Sequence, residues 1–394
     1  MTDVGKFPHG WQVLTVDQIK AKSPRSVAIG PFGSRMKSDR YVASGIPVIR
    51  GQNISSTRQL GGDFVFIDEA TAHELRSCMV YSEDLVFPHR GSIGEVAIIP
   101  RGHSVRYILS TSLMKLTCDK SVVDPDFVFY FFRSQFGRDE LLKYASTVGT
   151  PGIGQPLTSL RSIRVPIPPI YEQRAIASLL GALDDKIAFN EGVVSTISDL
   201  LTAYFSQVIR QASRRVKLRE VVDFRYGKAL KEEVRDFGSV PVYGSNGISG
   251  WHISSLVDGP GIIIGRKGAN AGSVSWSQGQ FWPIDTAFYA VPNSGFISFE
   301  FLYLLLDNIG LRELVGDSAI PGLNRDIALG QDVVLPSYEL VYWFTSVARP
   351  LLDIRTQISN ESRSVGELRD ILLPNLMSGK IRAMDGDKIA EGAT

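Results

Sequence analysis

An α+β fold is predicted, in which two repeated domains, mostly strands with a few helices, are separated by two long antiparallel helices about a pseudo-two-fold axis. Three observations carry this. A heptad seam occurs twice, short motifs recur in the same order before each seam, and the segments holding those motifs are rich in Val, Ile, Phe and Tyr punctuated by Gly, Pro, Ser and Asn. Apolar residues averaging 3.5 positions apart form the stripe by which one helix packs along another. The punctuated apolar runs mark strands and turns.

The first seam comprises Ile176, Leu180, Leu183, Ile187, Val194, Ile197, Leu201, Tyr204 and Val208. Moving 171 positions along the chain gives the second: Val347, Leu351, Ile354, Ile358, Val365, Leu368 and Leu372. Both are interrupted at one step, by Asn190 in the first and Glu361 in the second. In an antiparallel pair these two residues share the central layer, where a polar contact costs stability and fixes register; placement of both at a solvated edge of the seam is an equal alternative. Pro166, Pro168 and Pro169 make a sharp entry into the first helix. Pro350 predicts a kink near residues 345–350, and Pro374 should end or break the second helix.

The motifs follow in parallel. Ile46-Pro47-Val48 matches Val240-Pro241-Val242, and Arg90-Gly91-Ser92-Ile93-Gly94 matches Lys267-Gly268-Ala269-Asn270-Ala271-Gly272. Ser110-Thr111-Ser112-Leu113 matches Asp285-Thr286-Ala287-Phe288, and Thr150-Pro151-Gly152-Ile153 matches Ile320-Pro321-Gly322-Leu323. Residues 127–144 and 299–315 are each read as a helix. The expected layout is residues 1–170, a long helix over 171–211, a second domain over 212–337, a long helix over 338–380 and a flexible tail over 381–394.

Composition sets the setting. The 394 residues are 44% hydrophobic and 21% charged, with a net charge of +1, which fits two or three domains and argues against disorder. No apolar run approaches the ~20 residues needed to span a membrane, and the first residues lack a signal-peptide pattern. Only Cys78 and Cys118 are present, so a reducing cytoplasm is expected. The five histidines show no ligand pairing, and no metal is expected. No nucleotide-binding Gly-Lys-Ser/Thr ending follows Gly265, and Ile167-Pro168-Pro169-Ile170 lacks the amide or carboxylate that a methyl-transfer loop needs. A reader is favoured over a catalyst.

DNA reading needs Arg, Lys, Asn and Gln forks for base edges, with cations and backbone amides for phosphates. Three regions in each repeat supply them. The first repeat offers Arg35, Lys37, Arg50, Gln52, Asn53, Arg90, Ser92, Thr150 and Gln155. The second offers Tyr243, Ser245, Asn246, Arg266, Lys267, Asn270, Asn324 and Arg325. For any single arginine a solvated surface charge is at least as good a reading.

Across nearly its whole length the chain resembles the DNA-specificity subunits of type I restriction–modification systems. The carriers are Ile167-Pro168-Pro169-Ile170-Tyr171-Glu172-Gln173-Arg174-Ala175-Ile176-Ala177 with Leu183-Asp184-Asp185-Lys186-Ile187, and the closing Leu372-Leu373-Pro374-Asn375-Leu376-Met377-Ser378-Gly379-Lys380-Ile381. Gly45-Ile46-Pro47-Val48-Ile49-Arg50-Gly51-Gln52-Asn53-Ile54 is similar to part of the family's first target-recognition domain. Glu-Gln-Arg has no counterpart near residues 342–345. The resemblance implies a non-catalytic subunit whose two domains each read half of a split, asymmetric site on double-stranded DNA. It implies paired helices that set the spacing and dock two copies of a methyltransferase subunit, with Glu172, Gln173, Arg174, Asp184 and Asp185 as candidate contacts. S-adenosylmethionine then belongs to that partner, and ATP with magnesium to a restriction subunit. On the residues alone, Asp184, Asp185 and Lys186 lie off the seam on a solvated face. From Ile176 to Val208 the helix rises roughly 48 Å at ~1.5 Å per residue, or about 14 base pairs of DNA.

Overall fold

The computed structural model describes residues 7–32, 35–54, 58, 60–102, 105–146, 151–293, 295–316 and 321–383. The chain forms two compact units, Asn190–Glu361 and a unit built from Met1–Phe189 together with Ser362–Thr394. Two helices of 40 residues each, Ile170–Ile209 and Tyr338–Met377, contribute to both units.

In the first unit, Val27–Ile29, Leu113–Leu116, Leu85–Pro88 and Ala97–Ile98 form an antiparallel sheet in that order. A second sheet runs Val65–Ile67, Ile46–Ile49, Tyr107–Leu109, Met79–Val80, with the middle pair parallel. The contiguous unit repeats this plan. Val222–Tyr226, Ala287–Pro292, Gly261–Gly265 and Val274–Ser277 make its antiparallel sheet. Gly247–His252, Val240–Gly244 and Trp282–Pro283 make its second, again with one parallel pair. A two-stranded clasp closes each unit, Gln12–Thr15 on Arg164–Ile167 and Arg214–Lys217 on Asp332–Leu335. The duplication read from the motifs is thus a duplication of strand order. The fourth strand of the mixed sheet, Met79–Val80 on Tyr107–Leu109, is reduced in the other unit to a single antiparallel bridge, Val257 on Phe281.

Each unit packs a short apolar helix against its antiparallel sheet. Pro125–Arg133 starts at Asp124, whose carboxylate accepts from the Asp126 amide at 2.9 Å, with proline at the first helical position. Residues 127–144 are not one helix. The chain turns out at Ser134, whose hydroxyl donates to the Phe131 carbonyl at 2.6 Å and accepts from the Gly137 amide at 3.2 Å, starting Gln135–Leu142. A Cβ at Gly137 would lie 2.1 Å from the Phe131 oxygen, so only glycine allows that turn. Likewise residues 299–315 divide into Phe299–Asn308 and a 3-10 turn at Leu311–Leu314, broken at Gly310 with φ +73°.

The long helices run antiparallel within each unit. In one, Asp184 meets Arg369 and Ile187 lies beside Gly366. In the other, Asn190 meets Glu361, Tyr204 meets Trp343 and Phe205 meets Phe344. Asn190 and Glu361 face each other as the interrupted seams require.

The second seam is corrected. Ile354 and Leu368 are 44% and 47% exposed, while Val341, Phe344, Ala348 and Leu352 are buried. Those four advance eleven residues in three turns, the period of a straight helix rather than a strict heptad. On the first helix Ile176, Leu180, Ile197 and Leu201 are buried as expected, Leu183, Ile187 and Val194 are half-buried, and Phe205 is buried where Tyr204 was expected. On the second helix Val347, Leu351, Ile358, Val365 and Leu372 are half-buried.

Neither proline ends a helix. Tyr338–Met377 is continuous through Pro350 and Pro374. The carbonyls that lose their donor belong to Ser346 and Asp370, both exposed and open to water. Beyond Pro374, Leu376 and Met377 are buried in the first unit's core, which outweighs the proline penalty.

Candidate nucleic-acid interface

In the first unit, strand Leu85–Pro88 delivers His89, Arg90 and Gly91 to its tip. The Ile153 amide donates to the His89 carbonyl at 2.9 Å and the Gly91 amide to the Pro151 carbonyl at 3.0 Å, so Arg90 sits opposite Gly152. In the other unit the Leu323 amide donates to the Arg266 carbonyl at 2.9 Å and the Gly268 amide to the Pro321 carbonyl at 2.8 Å, placing Lys267 opposite Gly322. Arg90 and Lys267 are therefore the same position of one frame, and both side chains are exposed. Gly91 and Gly268 have φ of +83° and +88°, a turn that glycine takes without strain.

His89 and Arg266 also correspond. Each amide donates into the neighbouring strand's turn, to Ser112 at 2.9 Å and to Thr286 at 2.8 Å. Each side chain reaches the preceding carbonyl, His89 Nε2 to Thr111 and Arg266 Nη1 to Asp285, both at 3.1 Å. Burial pushes the His89 imidazole below its ordinary pKa, opposed by the Thr111 hydrogen bond. Arg266 is further held over the Tyr226 ring at 4.7 Å.

The residue 50–53 loop in the first unit and the 245–246 loop in the second come to these tips, whereas the Arg35–Lys37 segment is not brought to either by any contact among the described residues. In the first unit a Cβ on Gly51 would lie 3.7 Å from the Ser92 hydroxyl, so the residue 50–53 loop adjoins the 90–92 loop. In the second the Ser245 hydroxyl accepts from the Arg266 and Lys267 amides at 3.2 Å, and Asn270 Nδ2 donates to Asn246 Oδ1 at 2.9 Å. Lys37, Gln52, Ser92 and Gln155 are exposed in the first unit, and Asn246 in the second. Thr150, with Gly33, Ser34, Gly149 and Ile320, lies outside the described residues.

Several predicted readers instead build the loops. Asn53 is fully buried, accepting from the Arg50 amide at 2.9 Å and donating to the Gly61 and Asp63 carbonyls at 2.9 and 3.1 Å. Arg50 donates to the Asp63 carbonyl at 3.0 Å, and Arg35 to the Glu74 carbonyl at 3.3 Å. Tyr243 and Ser245 are buried. Asn324 caps the helix Arg325–Leu329 through the Asp326 and Ile327 amides. Arg325 is spent on the Phe224 carbonyl at 2.7 Å and on Asp223. These short polar residues satisfy backbone groups that a close turn would otherwise leave unpaired.

The candidate partner contacts divide the same way. Gln173 is buried, accepting from the Asp124 amide and donating to the Pro168 carbonyl, both at 2.8 Å. Asp184, expected on a solvated face, is buried and accepts from Tyr130 and Arg369 at 2.8 Å each. Its charge and burial together push the Tyr130 phenol up, with burial the larger cause. Glu172 is buried as well. Arg174 and Asp185 remain exposed and line a cavity of about 490 Å³ with Arg58, Arg101, Asp124 and Asp126. Arg58, Arg101 and Tyr226 were not singled out in the sequence, where nothing places them beside the motifs.

Among the described residues no group of three or more His, Cys, Asp or Glu is placed to hold a metal ion. Among them, too, no helix is long and apolar enough to cross a membrane.

Fold and loops define a duplicated α+β protein that presents one glycine-turned basic tip per repeat. Residues 35–198 match the family described as "Type I restriction modification DNA specificity domain". A putative type I restriction enzyme MjaX specificity subunit of Methanocaldococcus jannaschii is 25% identical over 47% of this chain and 42% of its own length. The EcoprrI specificity subunit of Escherichia coli is 26% identical over 38% of each. The chain thus spans about two-fifths of the length of the curated relatives it matches. A solved type I S subunit from M. genitalium shares the fold, with a TM-score of 0.64 at 18% identity over 95% of this chain and 97% of that one. Over the matched residues the chain is similar to type I restriction–modification DNA-specificity subunits.

Proposed function

We propose that this chain is the non-catalytic DNA reader of a type I restriction–modification assembly, each unit reading one half of a split, asymmetric site. The observation that carries this is the equivalence of Arg90 and Lys267. Two exposed cations occupy one position of a duplicated frame, each flanked by a glycine in a left-handed turn that lets backbone amides approach phosphate. Gln52, Ser92 and Gln155 in one unit and Asn246 and Asn270 in the other supply donors and acceptors suited to base edges.

The two 40-residue helices act as the spacer, and half-site centres lie more than one DNA turn apart. Two methyltransferase subunits dock on the chain, bringing S-adenosylmethionine, and Arg174 and Asp185 are the contacts left accessible for them. A restriction subunit brings ATP and magnesium. Methylome sequencing of a host carrying the chain and its methyltransferase should return two half-sites with a fixed gap, and exchanging residues 1–165 for a relative's should change only one half. A single continuous short site would defeat the reading. So would methyl transfer by the purified chain alone.

A further inference from the structure

The two long helices carry different polar residues at equivalent positions of the repeat. The 171-residue offset relates Asp184 to Arg355, Asn190 to Glu361 and Ser198 to Arg369. Asp184 is paired with Arg369 at 2.8 Å, both largely buried, and Asn190 with Glu361 at 2.9 Å. Each contact therefore joins unlike repeats.

Pairing of like helices from two chains gives a different outcome at every layer. Second helices would oppose Glu361 to Glu361 and Arg355 to Arg369. First helices would set Asn190 against Asn190, which is tolerated, but Asp184 against Ser198, leaving a carboxylate that is 4% exposed without Arg369. Like charges in one layer, or a buried charge stripped of its partner, disfavour the complex. We infer that these layers form a pairing code in which each long helix accepts the other repeat's helix and rejects a second copy of itself. Covalent linkage then makes the unlike pairing intramolecular through high effective concentration.

The code is reversible in principle, because the contiguous unit already holds an arginine in the pocket equivalent to that of Asp184. Tyr130 donates to Asp184 in one unit, and in the other Tyr303 accepts from Arg355 at 3.2 Å with the guanidinium 5.1 Å over its ring.

The test uses full-length chains. Asp184→Arg and Arg369→Asp should each lower Tm by roughly 5 °C or more, and the double reversal in one chain should restore Tm and remain monomeric. Co-refolding the two single variants should yield a 1:1 dimer with restored Tm, since each chain's helix then meets its complement on the other. Differently tagged wild-type chains refolded together should copurify at least tenfold less. A double reversal no more stable than the singles would overturn the code. Wild-type tags exchanging as freely as the complementary variants would do the same.

Discussion

Asn190 and Glu361, 171 residues apart, share a hydrogen bond in which the amide donates to the carboxylate at 2.9 Å. The Asn190 side chain is almost fully buried, so this contact sits in an otherwise apolar helix face. Replacing Asn190 by Leu strips the carboxylate of that donor and should lower the urea midpoint. Because Glu361 is exposed and only Asn190 is buried, replacing both by Leu should recover the stability lost in the single Asn190 variant. Light scattering should then detect more association, because the register signal is lost.

Arg90→Ala and Lys267→Ala test the two tips. In a complex with the proposed methyltransferase partner, each should weaken DNA binding and reduce the slope of log affinity against log salt by about one. Both side chains are exposed, so Tm should move little. An unchanged salt slope for both would remove the tips from the interface.

Asn53 and Gln52 are neighbours with opposite expectations. Asn53→Ala leaves the Arg50 amide and the Gly61 carbonyl without that partner, while the Asp63 carbonyl keeps its Arg50 donor, costing roughly 1–3 kcal/mol in equilibrium unfolding. Gln52→Ala, at an exposed position, should stay within about 0.5 kcal/mol.

Phe205 is packed between Phe301 and Phe344, with ring centroids 5.4 and 6.0 Å away. Phe205→Ala should cost roughly 3–5 kcal/mol, measured by denaturant unfolding.

His89 sets a pH dependence. Burial lowers its folded-state pKa below the unfolded value of about 6.5. The unfolded chain therefore takes up the proton first as pH falls. Stability from this group is complete above pH 6.5 or so and is lost as pH drops through the folded-state value. Denaturation midpoints at pH 7 and pH 5 should differ less in His89→Gln than in the wild type.

The long helices, the repeat and the Asn190–Glu361 contact were legible because periodicity and offset are properties of the sequence itself. The second helix's true face was not. A heptad template and a straight helix diverge over 40 residues, so Ile354 and Leu368 fit the first and miss the second. The loops were legible as regions, not as roles. Asn53, Ser245 and Arg325 carry the chemistry of DNA contacts, yet a tight glycine-rich turn consumes the same donors and acceptors. Asp184 was misplaced for a related reason, since its partner Arg369 is 185 residues away and no local pattern announces it.

The first unit is discontinuous in the chain, and this bears on how the protein is made. Its core joins Ile176 and Leu180 to Leu376 and Met377, whereas residues 190–361 hold everything their own unit needs. On the ribosome the amino-terminal unit must therefore wait for the last helix to emerge, while the unit synthesised later is already complete. Birth order and folding order run in opposite directions.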